Sequence, residues 1–88
     1  MKEIISLLRS KLKKEILKKL NEKELTPVMV AKILKKPRPS ISRTMTEMSE
    51  EKFIECINPK ADRWRFYTIT KKGKNALKKI EEYESNSS

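Results

Sequence analysis

Five cations and no carboxylate lie between Lys32 and Thr46, namely Lys32, Lys35, Lys36, Arg38 and Arg43, while Glu47, Glu50 and Glu51 crowd the residues just after. Ammonium and guanidinium groups at that density, set among Pro39, Ser40, Ser42 and Thr46, suit phosphate oxygens and base edges. A second basic group follows at Lys60, Arg63 and Arg65, with Trp64 between the arginines and Asp62 as the one opposing charge. Bond-breaking chemistry has far less to work with. The sequence contains no histidine, a single cysteine, Cys56, and a single glycine, Gly73. That removes the usual general base, a Gly-rich phosphate loop, and any transition-metal site not built from carboxylates. Glu50-Glu51 and Glu81-Glu82 are sequence neighbours, which do not face each other on a helix, so they read as solvated charges. No enzyme activity, metal or cofactor is expected.

Eighty-eight residues suffice for one small core. With 36% hydrophobic and 39% charged residues and a net charge of +10, the chain is globular and strongly basic. A pI near 9.9 favours a polyanionic partner, nucleic acid before anionic membrane. The bland alternative is a Lys- and Glu-rich surface serving solubility or a hot habitat. No apolar run is long enough to span a membrane, and MKEIISLLRSK lacks the core and cleavage site of a signal peptide. A cytoplasmic location is expected, and the lone Cys56 agrees with a reducing compartment.

The elements that would position these groups follow from periodicity. Lys2 to Leu8 is apolar but too short to be stable alone, so it must pack on something. Ser10 can cap a helix over Lys11 to Glu22, with Leu12, Ile16, Leu17 and Leu20 as its stripe; whether Lys2 to Leu8 continues into that helix is open. Thr26 and Pro27 open the next helix, which carries Val30, Ala31 and Leu34 on one face and Val28, Met29 and Ile33 off it. An apolar surplus of that kind predicts burial on two sides, under the N-terminal segment or a dimer mate. After the turn Lys35-Lys36-Pro37, Arg38 is expected as N-cap and Pro39 as first residue of a helix reaching about Glu51. Its stripe is Ile41, Met45 and Met48, and Arg43 and Thr46 lie opposite. Two short helices meeting at a tight turn make a helix-turn-helix. The period then changes to two: strands over Phe53–Ile57 and Arg65–Thr70 form a hairpin with a basic tip at 58–65. Thr70 caps a last helix, Lys71 to Tyr83, whose first-turn lysines oppose its dipole.

LTPVMVAKIL, PSISRTMTEM and RFYTITKKGKNAL, in this order, resemble the winged helix-turn-helix domains of ArsR-like and MarR-like prokaryotic transcription regulators. The resemblance covers about Ser10 to Tyr83. It implies an α+β, mostly α fold, with a three-helix core, a two-stranded β-wing and extra N- and C-terminal helices. Residues 1–84 would form the domain and 85–88 a disordered tail. Where the family usually has glycine, this chain has Lys35 and Lys52, which predicts two lysines at positive φ.

The resemblance also implies a double-stranded DNA partner, with the helix at about 39–51 in the major groove. Arg43 is then the leading base reader, with a phosphate clamp or a surface ion pair to Glu47 as its bland alternatives. Lys36, Arg38, Pro39, Ser40 and Ser42 would lie at the phosphates or base edges near the helix start, although either serine serves equally as a local cap. Thr46 would either reach a thymine methyl or stand as an uninvolved exposed threonine. Lys60, Arg63 and Arg65 would follow the backbone or enter the minor groove, or else serve only to keep an exposed hairpin from aggregating, and Trp64 either stacks on DNA or packs on its own domain or a dimer mate. A homodimer through Lys2–Leu8 and the last helix, acting as a repressor, is the expected assembly, with any small-molecule effector unknown. The rivals are sequence-indifferent DNA or RNA binding, and a winged helix used for protein–protein contact through Val28, Met29 and Ile33.

Overall fold

A computed structural model describes the backbone of residues 2–86 and the side chains of residues 5–85. The elements run α1 (Lys2–Arg9), α2 (Lys11–Glu22), α3 (Pro27–Leu34), α4 (Arg38–Glu50), β1 (Ile54–Cys56), β2 (Tyr67–Ile69) and α5 (Lys71–Asn86). Ser10 separates α1 from α2. Its extended backbone interrupts the helix and its hydroxyl accepts the Lys13 amide at 3.2 Å. Leu7 of α1 is fully buried and joins Ile16, Leu17 and Leu20 of α2, Val30 and Ala31 of α3, and Ile41, Met45 and Met48 of α4 in one core, which Ile80 closes from α5. The helical stripes expected of α2, α3 and α4 are thus the core faces, although Leu12 and Leu34 pack only at its edge.

Both helices of the helix-turn-helix end in the same wrapped turn. At the end of α3, Lys35 adopts φ 56°, ψ 48° and the Lys36 amide reaches back to the Ala31 carbonyl at 3.0 Å. At the end of α4, Lys52 has φ 70°, and the Lys52 and Phe53 amides bond the Ser49 and Met48 carbonyls, each at 3.0 Å. These are Schellman-type ends, in which glycine usually occupies the left-handed position. Here both left-handed residues are lysines, as the sequence motifs foretold. Lys35→Gly and Lys52→Gly are each expected to raise stability by about 0.5–1 kcal/mol, since they relieve a Cβ clash that outweighs the extra chain entropy. A rise in the urea midpoint at constant slope is the expected result; a fall would show that the lysine stems hold the turns.

The hairpin is shorter than its sequence pattern. Its regular ladder pairs Ile54 with Ile69, Glu55 with Thr68 and Cys56 with Tyr67. Phe53, expected to begin the first strand, is occupied otherwise: its amide closes α4 and its carbonyl accepts the Thr70 amide at 3.0 Å. A third piece of extended chain joins the sheet where none was expected. Leu25 forms an isolated antiparallel bridge with Tyr67, their amides and carbonyls bonded at 2.9 and 3.2 Å. This bridge ties the start of α3 to the wing.

Thr70 caps α5 as expected, its Oγ1 accepting the Gly73 amide at 3.0 Å while donating to the Lys52 carbonyl at 2.6 Å. One first-turn lysine of α5 has a use that explains its place. Lys72 Nζ donates to the Glu51 carbonyl at 2.9 Å and stands 5.0 Å from the Phe53 ring centroid, so its charge serves the negative end of α4. The last helix also runs further than expected, to Asn86, where Glu84 bonds Lys14 Nζ at 2.9 Å. That contact pulls the Glu84 carboxyl below its ordinary range, with a hydrogen bond from Lys14 as the main cause. Ser87 and Ser88 of the tail expected over 85–88 lie outside the described residues.

The second face of α3 is not covered by the N-terminal segment. Helix α1 packs against α2 and α5, leaving Met29 and Ile33 exposed at 37% and 44% and Val28 half-buried.

Candidate nucleic-acid interface

Helix α4 begins one residue earlier than the proline rule suggests. Arg38 is its first residue and Pro37 its cap, because the extended Pro37 places its carbonyl 3.1 Å from the Ile41 amide and closes the turn there. No side chain caps this end, so Ser40 and Ser42 do not serve as local caps. A helix leaves its first four amides unpaired, and Pro37 and Pro39 have none to offer. The open donors that remain are those of Arg38 and Ser40, at the positive end of the dipole.

Ile41, Met45 and Met48 are fully buried, and this anchoring turns Ser40, Ser42, Arg43 and Thr46 outward to solvent. The Thr46 hydroxyl bonds back to the Ser42 carbonyl at 2.9 Å, which leaves its methyl as the exposed contact. Arg43 makes no ion pair with Glu47. That carboxylate lies 3.7 Å from Lys13 Nζ, and Glu51 lies 3.2 Å from the same nitrogen. Lys13 is buried and also donates to Ser6 Oγ at 3.0 Å, so it joins α1, α2 and the far end of α4. The sequence offered a signal for Lys13, which sits at i, i+3, i+4 and i+7 with Ile16, Leu17 and Leu20. Its consequence is a polarised helix: two of the three acids at the end of α4, Glu47 and Glu51, share the Lys13 ammonium, while Lys36, Arg38 and Arg43 near its start pair with no described carboxylate.

The wing brings up the second basic group. Lys60, Arg63, Trp64 and Arg65 are all exposed; of the alternatives left open for Trp64, packing on its own domain is not what the structure shows, since the residue is 61% exposed. The tip is held by Asn58, which sequence reasoning missed. Its Nδ2 donates to the Trp64 carbonyl at 2.9 Å and its Oδ1 accepts the Phe66 amide at 2.8 Å, so one side chain extends the ladder beyond the Ile57–Phe66 rung. Arg65 Nε donates to the Ala61 carbonyl at 3.0 Å and is thereby fixed along the tip. Asn58→Ala should destabilise the hairpin tip by about 1–2 kcal/mol, because the Phe66 amide loses its partner. Faster amide exchange at Phe66 with unchanged protection in α2 is the expected result, and equal exchange in both proteins would contradict it. Further in, burial pushes the Tyr67 phenol above its ordinary range, with Cys56 adding to the rise and Arg65 opposing it. Tyr67 therefore keeps its proton at neutral pH beside the Leu25 bridge.

The start of α4 and the wing tip meet across an open cleft of about 530 Å³, whose walls include Arg38, Ser42, Arg63, Trp64 and Arg65. Of the residues expected to bind, these five converge there, with Pro39 beside Arg38 and Ser42 on the adjoining surface. Lys36, Ser40, Arg43, Thr46 and Lys60 do not line this cleft. Among the described residues no cluster of His, Cys, Asp or Glu is arranged to hold a metal ion, and no helix is long and apolar enough to cross a membrane.

No protein-family model matches the sequence, and no curated protein does. By structure the chain is similar to the adhesin competence repressor (AdcR) of Streptococcus pyogenes, with a TM-score of 0.74 over 89% of this chain and 59% of that one. At 14% identity this is a likeness of fold. The chain accordingly has the α+β winged helix-turn-helix fold that its motifs resemble, α2, α3 and α4 forming the three-helix core and β1 and β2 the wing. It spans 59% of the length of that repressor, and the greater part of its own length is accounted for by the shared fold.

Proposed function

We propose that this protein binds double-stranded DNA sequence-specifically and regulates transcription. Helix α4, over about residues 39–51, enters the major groove with Arg43 reading a base edge, Ser40 and Ser42 near the helix start and Thr46 against a thymine methyl. Lys36 and Arg38 hold phosphates, and Lys60, Arg63 and Arg65 carry the wing along the backbone or into the minor groove. The observation that supports this most is the sorting of charge along α4, where Glu47 and Glu51 at one end share Lys13 and the cations of the other stand exposed and pair with no described carboxylate. A basic surface kept clear of internal partners is an electrostatic footprint for a polyanion.

A homodimer through Lys2–Leu8 and α5 would place two recognition helices in successive major grooves, about 34 Å apart on a roughly palindromic site. Blocking polymerase, as a repressor in the cytoplasm, is the simplest mode of action. No catalysis or cofactor enters this account. The fold likeness to a protein named as a repressor supports a regulator.

Duplex affinity measured against salt tests the proposal. If Lys36, Arg38, Lys60 and Arg63 each neutralise a phosphate, log K should fall with log salt with a slope of about −4 per protomer. Absence of duplex binding at low salt would contradict it. A second reading has its own observation, the exposed Met29 and Ile33. Protein contact through α3 predicts that Ile33→Asp abolishes partner binding or self-association and leaves DNA affinity unaltered, whereas the DNA reading needs no α3 partner.

A further inference from the structure

Trp64 combines features that folding stability does not account for. Its backbone lies in the left-handed region at φ 57°, where a bulky side chain works against its own sterics. The residue is 61% exposed, although burying an indole is among the larger apolar gains open to a small domain. The tip nonetheless fixes this arrangement, since Asn58 grips the Trp64 carbonyl with one side-chain atom and the Phe66 amide with the other. Backbone strain and apolar exposure, both maintained by specific hydrogen bonds, mark a side chain kept in position for a ligand.

The cleft beside the ring says what ligand fits. Trp64 lines it together with Arg38, Arg63 and Arg65, and Ser42 of α4 and the start of α3 at Thr26 to Val28 contribute to the wall. A flat aromatic face among guanidinium groups is complementary to a nucleotide, whose base stacks while its phosphate takes the charge. Asp62, in the same lining, offers an acceptor for a base amino group. Inside an intact duplex each base already has neighbours on both faces, so an indole can stack only on a base that has left the stack. We infer that the cleft between the wing and the start of α4 binds an unstacked nucleotide, its base on Trp64 and its phosphate on Arg38 and Arg63. This rests on the DNA-binding reading above and deepens it: the preferred site contains one unpaired or extruded base beside the duplex that α4 reads. A free nucleotide presents the same chemistry.

Trp64 is the single tryptophan of the sequence, so intrinsic emission reports this residue alone. The probes are one duplex in three forms, fully paired, with one unpaired deoxyguanosine, and with an abasic residue at that position, together with free deoxyguanosine monophosphate. The unpaired base should quench Trp64 and tighten binding about tenfold over the paired duplex, the abasic residue should remove both effects, and Trp64→Phe should retain part of the gain. Trp64→Ala should bring the affinity ratio of unpaired to paired duplex to one. If the monophosphate quenches as strongly as the unpaired duplex at equal concentration, the inferred site is confirmed with a free nucleotide as its source. Equal affinity and emission for all three duplexes without any response to the monophosphate would overturn the inference, as would a tenfold preference that survives Trp64→Ala. The paired duplex is a separate control. Binding to it with no gain from the unpaired base defeats only this inference, and a gain without paired binding defeats the duplex-reading proposal while keeping the cleft.

Discussion

Gly73→Ala is expected to cost about 3 kcal/mol or more of folding stability, lowering the melting temperature by roughly 12 °C or more. The cause is space, since no glycine in the chain has a positive φ. A Cβ on Gly73 would fall well inside contact distance of the Phe53 carbonyl oxygen and 2.7 Å from Ile69 Cγ1. The first obstacle is backbone and has nowhere to go. That carbonyl accepts the Thr70 amide, while Phe53 itself closes the end of α4 and fills the core. Moving it would loosen α4, the wing and the start of α5 together. Lys74→Ala, one residue on and exposed, is the control and should stay within about 0.5 kcal/mol of the parent. Thermal melts of both variants decide the matter. Gly73→Ala melting within a few degrees of the parent would mean that α5 can lift from Phe53 and β2 without penalty.

Arg43→Ala should leave folding almost unchanged and alter what the protein distinguishes. The residue is exposed on the face of α4 opposite the buried Ile41, Met45 and Met48, and no described carboxylate competes for it. A guanidinium that bonds a guanine edge with two hydrogen bonds supplies about 1–3 kcal/mol of discrimination, so the variant should tolerate every base at one position of each half-site. Arg43→Lys should not restore the preference, because an ammonium lacks the planar fork. Lys60→Ala provides the contrast: as a phosphate contact it should weaken all sequences alike and reduce the salt slope by about one. Uniform weakening on Arg43→Ala, with the base preference intact, would reassign Arg43 to the backbone and leave specificity to Ser40, Ser42 or Thr46.

Much of the fold was legible because local and global signals agree. Core stripes at helical spacing identified Ile16, Leu17, Val30, Ile41 and Met45, and all are buried. The lysines at φ 56° and 70° were legible only by resemblance, since nothing in their own chemistry asks for that conformation. What escaped was long-range. The Leu25–Tyr67 bridge and the Lys72 bond to the Glu51 carbonyl join residues 42 and 21 apart in sequence, beyond the reach of any periodicity. Lys13 is hard to place for a different reason: its residue type suggests solvent while its position lies in register with the core, and the carboxylates that partner it there, Glu47 and Glu51, come from the far end of α4. Among the site residues, sequence located the basic groups. It did not show that Arg38, Arg63 and Arg65 share a cleft, nor that Asn58 sets the tip that carries Trp64.

The most direct test of DNA recognition is selection by the purified protein from a pool of random duplexes, at low and at physiological salt, with sequencing of the bound fraction. The account predicts enrichment of a symmetric motif that persists at the higher salt, its half-sites spaced by about one helical turn. Enrichment of nothing, with binding lost as salt rises, would mean that the +10 charge supplies counterion-release affinity alone and that α4 reads no sequence.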